Sequence, residues 1–253
     1  MANKETHKLY KGEIEIDFYP DCHRYKKVGE KEYLMSVTSI TGIIDKSRVL
    51  IYWAVGLTKD FLTDKFNSGE KIDLGLIYEA CDQHKIRKQE AADIGTQVHD
   101  WAEQFSIAMR NDQSAPEIKD DWDNRVVMGI NAFLDWYREH KVKFLEAERL
   151  VYSKKYNYCG LVDAIVEING EKILIDYKTA KEIYTDMYYQ VAAYVNAYNE
   201  ENNNEIERAM IIHFNKETGE FCIKEFSSED LKKNTDTFLA CLEIKKREKE
   251  LSI

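Results

Sequence analysis

The stretch from Gly160 to Lys181 reads GLVDAIVEINGEKILIDYKTAK, with two runs of strand-forming residues on either side of Asn169-Gly170. An Asn-Gly pair between two such runs is the strongest short-range signal for a β-hairpin closed by a type I′ turn. The turn places Ile168 opposite Glu171. Each residue before Ile168 then lies opposite the residue that is the same number of positions beyond Glu171. We therefore predict two antiparallel strands with a fixed register.

That register decides which side chains share a face of the hairpin. Asp163 and Asp176 lie equally far from the turn, so they oppose each other with Cβ atoms about 4.5–5.5 Å apart. Lys178, two residues beyond Asp176, projects from the same face. The opposite face is apolar and supports the same register, with Val162, Ala164, Val166, Ile168, Ile173, Ile175 and Tyr177.

Two opposed carboxylates repel each other, so this pair needs compensation. One of them stays protonated, or a divalent cation binds between them. Mg²⁺ prefers hard oxygen ligands and is usually held by one or two carboxylates, waters and substrate phosphates. A neighbouring lysine can position or help deprotonate a metal-bound water. The alternative is a solvent-exposed charged face on which Lys178 neutralises an aspartate. Because aspartate is a poor strand former, two of them in register favour the metal site.

The sequence beyond this hairpin predicts further strands and helices. A strand, FLEAERLVYS, precedes the hairpin, and a helix, TDMYYQVAAYVNAYNEE, follows it. Two more strands, ERAMIIHF and EFCIKEF, flank the turn KETG, and a charged helix begins near Ser228. This order of strands, helix and strands indicates an α/β fold with a mixed central β-sheet flanked by helices.

The first part of the chain combines short strands with a helical region. The residue pattern predicts short strands in three segments, EIEIDFY, HRYKKV and YLMSVTSI. The hydrophobic period then becomes helical from about Lys46 to Arg110. Pro116 lies at a plausible helix start, ahead of a helix through WDNRVVMGINAFLDWYREH. We expect a single domain over 1–253: N-terminal strands and helices in 1–142, a core in 143–227 and a C-terminal helix in 228–253.

Composition limits the possible classes of protein. With 253 residues, 44% of them hydrophobic, the chain can bury a sizeable core. We expect neither a membrane span nor a secretory signal, since no apolar run approaches about 20 residues. The five cysteines include no C-x-x-C pair, which argues against a zinc ribbon and favours a reducing, cytoplasmic setting. The net charge of −10 argues against a polyanion partner, but a local basic stripe can coexist with an acidic body. Composition therefore leaves the partner open.

Four short motifs occur in a fixed order along the chain. They are Gly95-Thr-Gln-Val-His99, Gly160-Leu-Val-Asp163, Asp176-Tyr-Lys178 and Gln190-Val-Ala-Ala-Tyr194. Together they resemble the signatures of the PD-(D/E)XK nuclease superfamily. Within it, the likeness is to the RecB-like branch, which includes phage exonucleases and the mitochondrial genome maintenance exonuclease. Each motif is weak alone, whereas their order and spacing are specific.

The resemblance extends upstream and covers about Tyr33 to Glu200. Ser36-Val-Thr-Ser-Ile40 with Trp53-Ala54 is similar to the opening of phage and mitochondrial members. Val162 replaces the superfamily's nominal proline, as is common in this branch. The cysteines that hold an iron–sulfur cluster in some relatives are absent, so we expect no cluster. The resemblance implies a restriction-endonuclease-like core.

The resemblance also implies roles for single residues. The implied metal ligands are Asp163, Asp176, His99, the Tyr177 carbonyl and Glu148, the last directly or through water. Lys178 and Gln190 complete the implied catalytic set, and the implied DNA contacts are Ser36, Thr38, Ser39, Gly95 and Tyr194. Each has a structural alternative: a core histidine or tyrosine, a surface charge or amide, or helix capping by the hydroxyls.

The function implied is a Mg²⁺- or Mn²⁺-dependent deoxyribonuclease. Exonuclease action on single- or double-stranded DNA with an end is favoured, in recombination, repair or phage DNA processing. A recombination protein or a single-strand-binding protein is a possible partner. One alternative is an endonuclease or nickase with the same core. Another is a catalytically silent DNA-binding recombination partner, against which the intact Asp163, Asp176 and Lys178 set argues.

Overall fold

The computed structural model describes residues 3–203 and 205–251, which contain nine strands and six helices. The strands are β1 (Glu5–Leu9), β2 (Ile14–Tyr19), β3 (Arg24–Lys27), β4 (Met35–Ser36), β5 (Lys143–Ser153), β6 (Tyr158–Ile168), β7 (Glu171–Lys178), β8 (Arg208–Phe214) and β9 (Phe221–Phe226). The helices are α1 (Val37–Thr41), α2 (Ser47–Asn67), α3 (Leu74–Arg110), α4 (Asn124–Glu139), α5 (Thr185–Glu201) and α6 (Ser228–Leu251).

A mixed six-stranded sheet is the centre of the fold. Its strands run in the order β4-β6-β7-β8-β9, and β5 also pairs with β6. The pairs β5/β6, β6/β7 and β8/β9 are antiparallel, whereas β4/β6 and β7/β8 are parallel. Parallel neighbours need a crossover, which α5 supplies between β7 and β8. The predicted α/β class with a mixed central sheet and flanking helices is confirmed.

The predicted hairpin forms with the predicted turn. Asn169 and Gly170 both have positive φ, 52° and 83°, as a type I′ turn requires. The ladder runs from Ile168↔Glu171 to Ala164↔Ile175, which is the register expected from the sequence. The turn chemistry and the apolar pattern agree, so nothing in this segment favours another pairing.

A separate three-stranded sheet, β1-β2-β3, lies at the N-terminus. Its apolar side chains share a buried cluster with residues of β5 and β6: Leu9, Ile14, Ile16, Phe18, Tyr25, Leu150, Tyr152 and Cys159. The hydroxyl of Tyr10 also donates a hydrogen bond to the Tyr152 carbonyl, 2.9 Å away. This N-terminal sheet is therefore packed against the central strands.

Three local expectations need correction. β1 was not predicted, because its sequence, ETHKL, is largely charged. YLMSVTSI was predicted as a strand, but only Met35–Ser36 is one, and Val37–Thr41 is a helix because the Ser36 side chain caps it. The helix predicted after Pro116 begins only at Asn124, where Asp123 accepts the capping hydrogen bond from Arg125 N.

The chain divides into two compact units, Met1–Ile43 with Val98–Ile253, and Ile44–Gln97. The first unit contains both sheets. The second contains α2 and the beginning of α3, where Thr58 Oγ1 donates to the Ala80 carbonyl over 3.2 Å. In the described part of the chain, none of the helices has the length and apolar character needed to cross a bilayer.

Candidate active site

A cavity of about 500 Å³ lies in the first unit where the β6–β7 ladder ends. Residues from β5, β6, β7, α3 and α5 form part of its wall: Glu148, Asp163, Asp176, Tyr177, Lys178, His99, Asp100, Glu103, Gln190 and Tyr194. Residues of the N-terminal sheet complete it. The structure therefore brings most of the predicted site residues together at one place.

Asp163 and Asp176 follow the last paired residues of the hairpin. In place of a further backbone ladder bond, the Tyr177 amide donates to Asp163 Oδ2 over 2.5 Å. His99 Nε2 lies 3.2 Å from Asp163 Oδ1. Lys178 Nζ lies 2.6 Å from Asp176 Oδ2. Each carboxylate thus has its own basic partner.

The Lys178–Asp176 contact is an ion pair without the angle of a hydrogen bond. Among the described residues, Asp176 Oδ2 meets no hydrogen-bond donor in suitable geometry, although the side chain is buried. An underbonded carboxylate oxygen in a buried position is normally costly. Here the compensating charge is the Lys178 ammonium, 2.6 Å away.

The two aspartates have opposite pKa shifts. Burial raises the pKa of Asp176 to about 6; Lys178 opposes this shift, while the charge of Asp163 adds to it. Burial also opposes ionisation of Asp163, but His99, Lys178 and the Tyr177 amide outweigh it and hold its pKa below the usual range. The pKa of Lys178 is raised, because the two aspartates outweigh the effect of burial. The metal-free pair therefore carries at least one firm negative charge beside a protonated lysine.

Glu148 lies on β5 between two residues that pair with the neighbours of Asp163. Its φ is +50°, a left-handed conformation inside a strand, which costs on the order of 1–3 kcal/mol. Burial raises the pKa of Glu148 to about 9, and the charges of Asp163 and Glu103 add to the shift. Without a cation this carboxyl is protonated, and it becomes a ligand only when positive charge replaces its proton.

His99 belongs to a group of possible ligands that the sequence only partly revealed. His99, Asp100 and Glu103 on α3 each offer a ligand atom, and these atoms lie within 4.8 Å of one another. The charge of Asp163 raises the pKa of His99 to about 9, against the opposing effect of burial. Burial raises the pKa of Glu103. Asp100 and Glu103 were not predicted, although the i, i+4 spacing of His99 and Glu103 was a usable signal.

Gln190 and Tyr194 form one more side of the cavity. Gln190 Nε2 donates to the Tyr194 hydroxyl over 2.8 Å, which leaves the amide oxygen of Gln190 available. The ring of Tyr194 is buried against Gly160, where a Cβ atom would overlap Tyr194 Cε1. The glycine of the Gly160-to-Asp163 motif therefore makes room for this tyrosine.

The remaining predicted residues differ in their placement. Tyr177 has its side chain in the core, with its hydroxyl 3.2 Å from Ser106 Oγ, and its carbonyl stays a predicted ligand. Ser36 accepts from the Ser39 amide over 3.1 Å, and the Ser39 hydroxyl donates to the Ser36 carbonyl over 2.8 Å, so both act in capping. Thr38 lines the cavity. Gly95 is buried in the part of α3 that belongs to the second unit.

The donor set suits a hard divalent cation. The cavity is lined by Glu5, Asp100, Glu103, Glu148, Asp163 and Asp176, with Lys178 and three histidines as the basic groups. Carboxylate oxygens with an imidazole are ligands for Mg²⁺ and Mn²⁺, whereas Zn²⁺ sites commonly add thiolates, and no described cysteine lines this cavity. A bound cation would oppose the shifts that raise the pKa values of Glu148 and Asp176.

Comparisons with known proteins give little further information. No family model and no curated protein matches the chain. Among solved structures, an alkaline exonuclease (LHK-Exo) from Laribacter hongkongensis is similar at 10% identity, with 86% of this chain and 94% of that chain covered and a TM-score of 0.39. The structure described as SSO0001 is similar at 14% identity, covering 45% of this chain and 57% of that chain, with a TM-score of 0.27. Similarities of this size carry no functional argument, so function is argued from the residues of the cavity.

Proposed function

We propose that this protein is a metal-dependent deoxyribonuclease. The observation that carries the proposal is a carboxylate pair at the open end of a β-hairpin, buried Asp176 and largely buried Asp163, with Lys178 and His99 in contact. A purely structural role does not explain why two acids occupy buried positions that repel each other. The sequence resemblance to PD-(D/E)XK nucleases supports the same reaction.

The roles of the residues follow from their contacts. Asp163, Asp176 and His99 would hold the metal, with Glu148 and the Tyr177 carbonyl as further ligands. A bound Mg²⁺ or Mn²⁺ supplies an activated water and neutralises charge on the phosphate. Lys178 is partly buried beside Asp176, where its ammonium can orient the water or the phosphate and move a proton. Gln190 has its amide oxygen free to orient Lys178 or the water.

The acidic lining of the cavity opposes substrate binding in the metal-free protein. Six acidic side chains line the cavity with Lys178 and three histidines, and each acid that is ionised repels a phosphodiester in the metal-free protein. A divalent cation held by Asp163, Asp176 and His99 would reduce that repulsion. DNA binding in the cavity should therefore strengthen when the negative charge of the lining is reduced, and the net charge of −10 does not exclude it.

Exonuclease action is the finer part of the proposal. It is supported by the sequence resemblance to phage and mitochondrial exonucleases, and DNA with an end is the substrate proposed. An endonuclease with the same core remains the second candidate, because the chemistry of the cavity is the same for both. We propose Mg²⁺ or Mn²⁺ as the cofactor and a role in DNA recombination, repair or phage DNA processing.

One assay separates these functions. End-labelled linear DNA and covalently closed circular DNA, each single- and double-stranded, are incubated with the protein and Mg²⁺, Mn²⁺ or EDTA. We expect metal-dependent loss of the linear DNA with the circles intact. Cleavage of the circles would show an endonuclease, and intact DNA under every condition would contradict the nuclease proposal.

A further inference from the structure

The cavity has a wall to which the proposed chemistry assigns no role. Glu5 and His7 of β1, Phe18 of β2, and Pro20 and His23 in the turn after β2 all line it. They belong to the same compact unit as the carboxylates. The cavity therefore combines an acidic surface, which suits a metal ion, with a neighbouring wall of aromatic rings and a proline.

His23 is the exposed ring of this wall, and its position is fixed by buried neighbours. Its Nε2 lies 3.1 Å from the hydroxyl of Tyr25, which is a core residue with 1% exposure. Its ring meets Phe18 edge-on at 5.3 Å and Tyr25 edge-on at 5.6 Å. The backbone of His23 is left-handed, with φ at 48°, which turns the chain from the Pro20–Cys22 turn into β3. A ring held in this way is pre-organised for a contact.

The environment disfavours the charged form of this ring. Burial lowers the pKa of His23, and the positive charge of His99 lowers it further. The influence of His99 also shows that the two histidines belong to one electrostatic environment. A neutral imidazole next to Phe18 and Pro20 is suited to a flat, uncharged partner and not to a phosphate.

A nucleic acid strand presents both kinds of group that this cavity would meet. Its phosphates would lie at the metal that the carboxylates hold. Its bases offer flat π-faces to aromatic side chains. In a duplex these faces are stacked and paired, so only an unpaired base can lie on a protein ring. A cavity of about 500 Å³ is in the range of small-ligand sites, which suits a single unpaired nucleotide.

We propose that His23, supported by Phe18 and Pro20, is a stacking platform for the base of the nucleotide whose phosphate lies at Asp163 and Asp176. The substrate of this site is then an unpaired strand or an unpaired end of DNA. This inference rests on the proposed nuclease function and adds a residue that sets the form of the substrate.

Two substitutions at His23 separate the ring from its hydrogen bond. His23→Gln keeps a polar partner for the Tyr25 hydroxyl but removes the ring, whereas His23→Phe keeps a ring and loses the hydrogen bond. His140→Gln, a histidine at the end of α4 outside the cavity, is the control. Cleavage is measured with Mn²⁺ on single-stranded thymine oligonucleotides, on abasic oligonucleotides of equal length and on a blunt duplex.

The parent protein, His23→Phe and the control should prefer thymine over abasic DNA, and all should cleave the blunt duplex most slowly. His23→Gln should raise KM on thymine DNA about tenfold and leave KM on abasic DNA unchanged, as expected from loss of one stacking contact. Equal preference for thymine in His23→Gln and the parent would overturn the platform. Cleavage of the blunt duplex as fast as the single strand would overturn the unpaired substrate. If the parent cleaves no DNA at all, the nuclease proposal itself fails, and that result is distinct from either.

Discussion

Asp163 and Asp176 have the same type of side chain but different electrostatic surroundings. Asp163 has His99, Lys178 and a backbone amide in reach, and its pKa is lowered despite burial. Burial raises the pKa of Asp176 to about 6 and the charge of Asp163 adds to the shift, against the opposing effects of Lys178 and, more weakly, His99. Environments that separate the pKa values of neighbouring acids are typical of reactive sites. This difference is the residue-scale basis of the proposed function.

Lys178→Ala tests whether the lysine takes part in the reaction. We expect single-turnover cleavage to slow by about 10²–10⁴-fold, the usual contribution of a positioned proton-transfer group. Mn²⁺ affinity should stay the same or rise, because a positive charge beside the ion is removed. Lys178→Arg should not restore the rate, since arginine stays protonated. Lys172→Ala, on the same hairpin but paired with Glu205, is the control. Parental cleavage by Lys178→Ala would reduce the lysine to a neutralising charge.

His99→Ala tests the proposed histidine ligand. We expect this variant to need at least about tenfold more Mn²⁺ for half-maximal cleavage, as is usual when metal coordination is weakened. Tyr194→Phe removes only the hydroxyl that accepts from Gln190, so its metal requirement should change less. Metal titration of cleavage and thermal unfolding are measured together. A His99→Ala protein that is only less stable, with normal activity per folded molecule, would make His99 a core residue.

At the scale of elements, Gly160 and Gly170 are required for different reasons. A side chain at Gly160 would overlap Tyr194 and meet Val37 Cγ2 at 3.2 Å, whereas Gly170 has open space but a φ of +83°. Both alanine variants should lose about 1–3 kcal/mol of unfolding free energy, by overpacking in one and backbone strain in the other. Only Gly160→Ala should also reduce cleavage, because it displaces a cavity residue. Urea unfolding and activity per folded molecule check this, and equal activity in the two variants would contradict it.

The elements also show which parts of the fold and of the candidate site could be predicted from the sequence. The Asn169-Gly170 hairpin and α5 follow from turn chemistry and hydrophobic period, which are local properties. The strand β1 was missed because its charged sequence is stabilised by pairing with β2 and not by its own propensity. For the same reason the sequence did not show that the N-terminal sheet contributes His23 to the cavity. Asp100 and Glu103 were missed because an acid on a helix is ordinarily a solvated charge.

At the scale of the whole molecule, the acidic cavity links stability to pH. Glu148 and His99 both have pKa values raised to about 9 in the folded, metal-free protein, above the ordinary 4.5 and 6.5. At pH values between the ordinary and the raised pKa of each group, the folded state therefore binds more protons than the unfolded state. The free energy of unfolding falls as pH rises towards 9. Asp163 has the opposite effect, but only below its ordinary pKa of 3.8.

We accordingly expect the melting temperature of the protein in EDTA to fall between pH 6.5 and 9. Glu148→Gln should flatten this dependence, because its amide replaces the protonated acid and does not titrate. Glu146→Gln, the other glutamate of the same strand, should leave it unchanged. Scanning calorimetry across this pH range provides the measurement. A melting temperature that rises with pH would contradict the assigned shifts.

The central claim is that Asp163 and Asp176 form the metal site at which DNA is cleaved. The most direct measurement compares Asp163→Asn with Glu167→Gln, an exposed carboxylate of the same strand, for cleavage and DNA binding with Mn²⁺ in the same samples. Asp163→Asn should show no detectable cleavage while binding DNA as well as the parent or better, because a negative charge near the phosphate is removed. Glu167→Gln should behave as the parent protein. Cleavage by Asp163→Asn at a near-parental rate would contradict the claim.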